Sequence, residues 1–168
     1  MYYNLEGDAL DAYNKNIQEL IAKAKEELGL PRDELVVRPI RAEDIGFSAA
    51  QFLTTVAKAS TNGWVNIVNT VTIADNRFVM INGVSRGFGQ GTTNVFSQLR
   101  VTKAGKTARI WNIQGVEDFI TNAVYWDDPV DVKQNQQLTI EGYAVNSTTD
   151  KMIFLGAVVE KRGLIINP

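Results

Sequence analysis

The chain has 168 residues, with 17 Lys and Arg against 19 Asp and Glu, and it contains neither histidine nor cysteine. Without cysteine there is no disulfide framework, no thiol nucleophile and no thiolate metal site. Without histidine there is no Ser-His-Asp triad and no imidazole ligand for zinc or iron.

The length fits one domain, large enough to bury roughly 70% of its unfolded surface without staples. Charge is unevenly spread. Residues 1–45 hold 10 acidic and 6 basic residues, whereas 46–168 hold 9 and 11, so the first part reads as a solvated, helix-favouring stretch and the second as a low-charge body. No block of Lys or Arg is long enough to act as a phosphate-binding arm, so direct nucleic-acid contact is not expected. No apolar run approaches the roughly 20 residues of a membrane span. The start, Met1 to Glu6, lacks the basic and apolar segments of a signal peptide, and none is expected.

In chain order, the first element is a helix from about Asp8 to Leu28, with Asp8 as its cap and Gly29 and Pro31 as its stop. Leu10, Tyr13, Ile17, Leu20, Ile21, Ala24 and Leu28 recur at steps of three and four and form one apolar stripe. Glu19 stands four residues before Lys23, a favourable surface pair. The stripe must be buried, either on its own domain or against another subunit. Residues 31–46 read as an extended linker in which Leu35-Val36-Val37 adds a short edge strand, and Ser48 to Ala59 is expected to hold a short helix using Phe52, Leu53 and Val56.

From Trp64 the period changes to two. Strands are expected at Trp64 to Ile73, Phe78 to Ile81, Val95 to Thr102, Thr107 to Ile113, Ile120 to Trp126, Val130 to Lys133, Leu138 to Ala144 and Met152 to Glu160, with turns at Asp75-Asn76, Asn82-Gly83 and Lys103 to Lys106. About eight strands with no helices between them predict an antiparallel sandwich, mainly β, with an N-terminal amphipathic α-helix. The division expected is a helical arm and linker over 1–46 and a β-sandwich over 47–168.

Candidate chemistry is sparse. The glycine-rich stretch from Gly83 to Thr93, with Arg86, could draw backbone N–H groups onto an anion. It lacks the following helix and Lys of a nucleotide loop, so an inter-strand loop is the better reading. Asp127, Asp128 and Asp131 offer oxygen ligands for calcium, but without the spacing of an EF-hand they read as a turn entering a strand. Glu117, Asp118, Glu141 and Glu160 are conceivable acid–base partners, with nothing to bring two of them together. Trp64, Trp111 and Trp126 could stack on sugars or bases, yet each sits in or beside an apolar strand and reads as core. Hence no catalytic residue, metal site or cofactor is assigned. The apolar tail Leu164-Ile165-Ile166 must cover something, its own sheet or a neighbour.

The stretch from Trp126 to Gly163, WDDPVDVKQNQQLTIEGYAVNSTTDKMIFLGAVVEKRG, resembles the last strands of virion jelly-roll proteins of archaeal and bacterial viruses, and Val71 to Gly83 has the character of their early hairpin. The resemblance implies a jelly-roll-like sandwich and a structural role in a virus particle, as capsid, decoration or vertex subunit, made in the host cytoplasm and located in the virion. Its partners would be copies of itself and other virion proteins. On that reading the assembly interface comprises Leu10, Tyr13, Ile17, Leu20, Ile21, Leu28, Leu164, Ile165 and Ile166. The net acidic arm departs from the basic arms of genome-packaging subunits and favours an outer or lattice-forming role. The alternative is a ligand- or carbohydrate-binding adhesion module, using a Trp and the Gly87–Gly91 loop.

Overall fold

The structure, a computed structural model, describes residues 4–47, 54–57, 62–86, 95–118, 122–146 and 149–164. Within them the chain forms helix α1 (Asp8–Leu28) and strands β1 (Leu35–Pro39), β2 (Thr54–Ala57), β3 (Gly63–Thr72), β4 (Arg77–Arg86), β5 (Phe96–Lys103), β6 (Lys106–Asn112), β7 (Ala123–Val132), β8 (Gln137–Ala144) and β9 (Thr149–Lys161). The helix has the expected bounds, but Gly7 is its N-cap, and Asp8 sits in the first turn, where its charge opposes the positive end of the helix dipole. Gly29 closes the other end at φ 64, its N–H donating to the Lys25 carbonyl at 3.1 Å.

The strands build two antiparallel sheets. One runs β1-β9-β4-β7, with β2 also on β9, and the other runs β3-β8-β5-β6. β1 pairs with Ala157 to Lys161 and β2 with Thr149 to Met152, so the two occupy successive stretches of β9. Leaving β2 aside, the pairing is nested: β1 with β9, β3 with β8, β4 with β7, β5 with β6. A long antiparallel ribbon rolled on itself gives that order, and it is the jelly-roll order.

Three local expectations fail for identifiable reasons. The turn expected at Asn82-Gly83 is a register shift inside β4, which stays paired with β9 as far as Arg86. Thr54–Ala57 is a strand, not part of a helix, because the β-branched Thr-Thr-Val run suits a pleated edge; residues 48–53 and 58–60 lie outside the described residues. The two strands expected on either side of Asp127-Asp128-Pro129 are one strand. Against β4, Tyr125 pairs with Gly83 and Val130 with Ile81, so Trp126 to Pro129 bulge out of the ladder. A bulge on an edge strand is where proline is tolerated. The boundary expected after residue 46 does not separate two packing units either, since β1 is hydrogen-bonded to β9.

The core between the sheets includes Ile81, Val84, Phe96, Leu99, Leu138, Ile140 and Phe154. A second cluster lies outside the first sheet, where Leu20, Ile21 and Ala24 of α1 pack on Leu35, Phe78, Met80, Ala157 and Val159. At about 1.5–3 kcal/mol for each fully buried Leu or Ile, this burial far outweighs the surface pairs of the helix. Those pairs also differ from expectation. Lys15 meets Glu19 at 4.0 Å, while Lys23 and Glu27 reach Asp131 and Lys133 on and beyond β7.

Buried ion pairs close both ends of the β4–β9 ladder. The register shift between Ile81 and Gly83 takes Asn82 out of alternation, which keeps Arg77 and Arg86 on the same inner face as Val79 and Val84. At one end Arg38 of β1 donates to Asp44 at 2.6 and 2.7 Å and to Glu160 at 3.0 Å, and Arg77 approaches Glu160 at 3.2 Å. At the other end Arg86 donates to Asp150 at 2.6 Å and to the Ile113 carbonyl at 2.8 Å. The same Asp150 oxygen accepts the Val95 and Phe96 N–H groups at 3.2 Å each.

The first turns of α1 meet β7 through Tyr13, whose ring stands edge-on to Tyr125 at 6.0 Å. Burial pushes both phenol pKa values up, with the neighbouring Tyr13 adding to the rise at Tyr125. A group with a raised folded pKa contributes stability that is present below its unfolded pKa, about 10 for tyrosine, and lost as pH climbs through the folded value. Unfolding free energy is therefore expected to fall as pH rises above about 10, and Tyr13→Phe with Tyr125→Phe should flatten that fall. Urea titrations at stepped alkaline pH measure it; equal slopes in parent and double variant would refute the account.

Candidate functional site

One sheet has its outer face covered by α1; the other does not. Alternation along β3, β8, β5 and β6 sends Val68, Leu138, Ile140, Leu99, Val101 and Trp111 into the core. The intervening residues form two adjacent cross-strand rows on the outer face. The register sets Trp64 beside Tyr143, Tyr143 beside Gln98 and Gln98 beside Asn112. In the next row Asn66 lies beside Glu141, Glu141 beside Arg100 and Arg100 beside Ile110. With strands about 4.8 Å apart and rows about 7 Å apart, these side chains cover roughly 14 by 7 Å.

The side chains within the patch hold one another. Trp64 and Tyr143 meet edge-to-face, centroids 5.5 Å apart. Arg100 lies over the Trp64 ring, its Cζ 4.3 Å from the centroid, a cation–π contact. Arg100 Nε and Nη2 donate to the two Glu141 oxygens at 2.7 and 2.8 Å, a bidentate pair. Those hydrogen bonds raise the Arg100 pKa. Farther along the face, Thr70 and Thr139 share a hydrogen bond of 2.9 Å.

The other residues singled out by sequence take different places. Trp111 and Trp126 are core, stacked at 4.0 Å with planes 3° apart, and they join β6 to β7 across the sandwich. Arg86 is buried in its ion pair with Asp150 and is no cradle for an anion; 87–94 lie outside the described residues. Asp128 pairs with Arg109 at 2.7 Å and Asp131 with Lys23, and among the described residues no three carboxylates gather around a metal position. Glu141 and Glu160 belong to different sheets and are each committed to arginine.

The expected assembly residues divide. Leu20 and Ile21 are enclosed by the chain's own sheet, with Ile17 and Leu28 packed beside them, because the sheet's outer face offers Phe78, Met80 and Val159 as a matching apolar surface. They are therefore corrected from intersubunit to intrachain contacts. Tyr13 is partly buried, its ring edge-on to Tyr125. Leu10 and Leu164 stay open, at 41% and 42% exposure. Ile165 and Ile166 lie outside the described residues. Among the described residues no helix is long and apolar enough to cross a membrane.

No protein-family model matches the chain, and no curated protein matches it. Among solved structures it is similar to the native structure of a family 35 carbohydrate binding module from Clostridium thermocellum, at 14% identity and a TM-score of 0.36, over 73% of this chain and 97% of that one. So loose a superposition transfers nothing from one protein to the other.

Proposed function

We propose that this chain is a structural subunit of a virus particle, a capsid or decoration protein that assembles with copies of itself. The observation that carries the reading is the jelly-roll order of its strands, β1-β9-β4-β7 over β3-β8-β5-β6. That architecture recurs in viral capsid proteins, lectin domains and cupins. The chain has no histidine, so it cannot supply the imidazole metal ligands that a cupin-type catalytic centre would use. The resemblance of residues 126–163 to virion jelly rolls favours the capsid member of the remaining pair.

Leu10 and Leu164 mark the contacts left for neighbours. Leu10 lies in the first turn of α1, near the β7 side, whereas Leu164 follows the β9 end, where Arg162 N–H donates to the Glu34 carbonyl at 2.7 Å. Apolar residues exposed at opposite ends of one helix layer suit a repeating contact between copies. Light scattering behind a sizing column, with electron micrographs of any large peak, is expected to show rings, shells or tubes. Leu10→Asp with Leu164→Asp should disperse them while the far-ultraviolet spectrum is unchanged, because neither side chain is in the core. A parent chain that stays monomeric at millimolar concentration would overturn the proposal.

A further inference from the structure

We propose that the outer face of the β3-β8-β5-β6 sheet is a binding site for a neutral glycan, centred on Trp64 and Tyr143. The inference goes beyond a structural role in a particle and does not depend on it.

The chemistry of the patch selects the ligand. A pyranose ring has an apolar face of C–H groups and a rim of hydroxyls that each donate and accept hydrogen bonds. Trp64 and Tyr143 supply the apolar surface with a polar tip, and their mutual edge-to-face contact holds both rings in place before any ligand arrives. Gln98 and Asn66 are exposed in the two rows, and each amide offers donors and an acceptor side by side. The Arg100–Glu141 pair adds the same combination with charge. Glu141 retains acceptor capacity, and Arg100 engages the carboxylate through Nε and Nη2, leaving the Nη1 donors outside that pair. Adjacent hydroxyls of one sugar fit such a donor and acceptor together.

Other occupants fit less well. An anionic ligand would have to compete with Glu141 for Arg100, whose side chain is already matched in a bidentate geometry. A protein partner would need a buried apolar centre, and interface cores are depleted of charge. This face instead carries an ion pair and amides beside its aromatics, with threonines farther along. The two mixed rows, roughly 14 by 7 Å across with the Trp64–Tyr143 pair at one side, match a short oligosaccharide chain lying across the strands. Preorganisation also limits the ordering cost of binding, because Trp64, Arg100 and Glu141 already restrain one another.

The test uses the full chain on a printed array of neutral and acidic glycans, followed by calorimetric titration with the glycans retained. Neutral oligosaccharides are expected to bind. Trp64→Ala and Tyr143→Ala should each weaken binding at least tenfold, and Asn66→Ala and Gln98→Ala, both at exposed positions, Asn66 giving up a 3.4 Å hydrogen bond to Asn69, should weaken it severalfold. Melting curves for all four establish that they are folded; if the aromatic variants are not, the two amide variants decide. An array that retains no glycan overturns the proposal. So does binding that all folded variants keep, which places the sugar elsewhere, or binding of acidic glycans alone that salt abolishes. A fall in particle mass on Trp64→Ala without any glycan bound would make the face a subunit contact and also overturn it. Because assembly is read by mass and glycan binding by calorimetry, either proposal can fail while the other stands.

Discussion

Arg38→Met is expected to lower the free energy of unfolding by about 3–5 kcal/mol, the cost of stranding buried charge. Arg38 is 9% exposed and is the shared partner of Asp44 and Glu160, themselves 5% and 3% exposed. Methionine keeps much of the volume and removes five donors, so the two carboxylates keep Arg77 as their guanidinium partner, with the Arg41 N–H still donating to Asp44 at 2.8 Å. The effect is one of breaking a set, not of the set's net worth. Adding Asp44→Asn and Glu160→Gln removes the stranded charges and should recover part of the loss. Urea denaturation near neutral pH measures both variants, and a loss below about 1 kcal/mol for Arg38→Met would show that water or Arg77 solvates the carboxylates. Burial alone would lower the Arg38 pKa, but the hydrogen bonds and charges of Asp44 and Glu160 outweigh it, and the net shift is upward. The arginine's contribution is thus fully present below the ordinary arginine range and would be lost only as pH rose through the raised folded value.

Gly156→Ala should be at least as damaging, for a steric reason. Gly156 faces Ile81 in the β4–β9 ladder, and a Cβ built there would lie 1.9 Å from the Met80 carbonyl oxygen. The obstructing atom is backbone, so no rotamer change relieves the clash, and β4 must separate from β9 at the centre of the larger sheet. A loss of about 3 kcal/mol or more is expected, at the upper end of overpacking effects. In a domain of this size that corresponds to a drop in melting temperature of roughly 6–12 °C. Gly63→Ala is the control, since a Cβ there meets nothing within 4 Å. A Gly156→Ala protein melting with the control would mean that the ladder opens to admit the methyl group.

What the sequence determined by itself is local and periodic. The bounds of α1 follow from its repeat of three and four and from Gly29. The strand content follows from alternation, which survives even where a bulge breaks it, as in β7. The resemblance of the last strands agreed with a jelly-roll-like sandwich, and the nested pairing has that order. Where local signals were weak, reading failed: Thr54–Ala57 carries too few residues to separate a strand from a helix turn, and the edge position that tolerates Pro129 is not written in the residues around it.

What only the tertiary structure decided is which faces meet. The α1 stripe is equally apolar whether it covers its own sheet or a neighbour's; Phe78, Met80, Ala157 and Val159, distant in sequence, make it intrachain. Arg86, Glu160 and the three tryptophans likewise take their roles from partners on other strands. Alternation in β8 does place Thr139, Glu141 and Tyr143 on one side, but it cannot say that Trp64 of β3 and Arg100 of β5 flank them. Strand pairing is non-local, and its register is set by how the two sheets bury their inner faces, so the outer face is assembled as a by-product of the core. The Trp64–Tyr143–Arg100–Glu141 patch was therefore present in the sequence as scattered residues and came into being only with the fold.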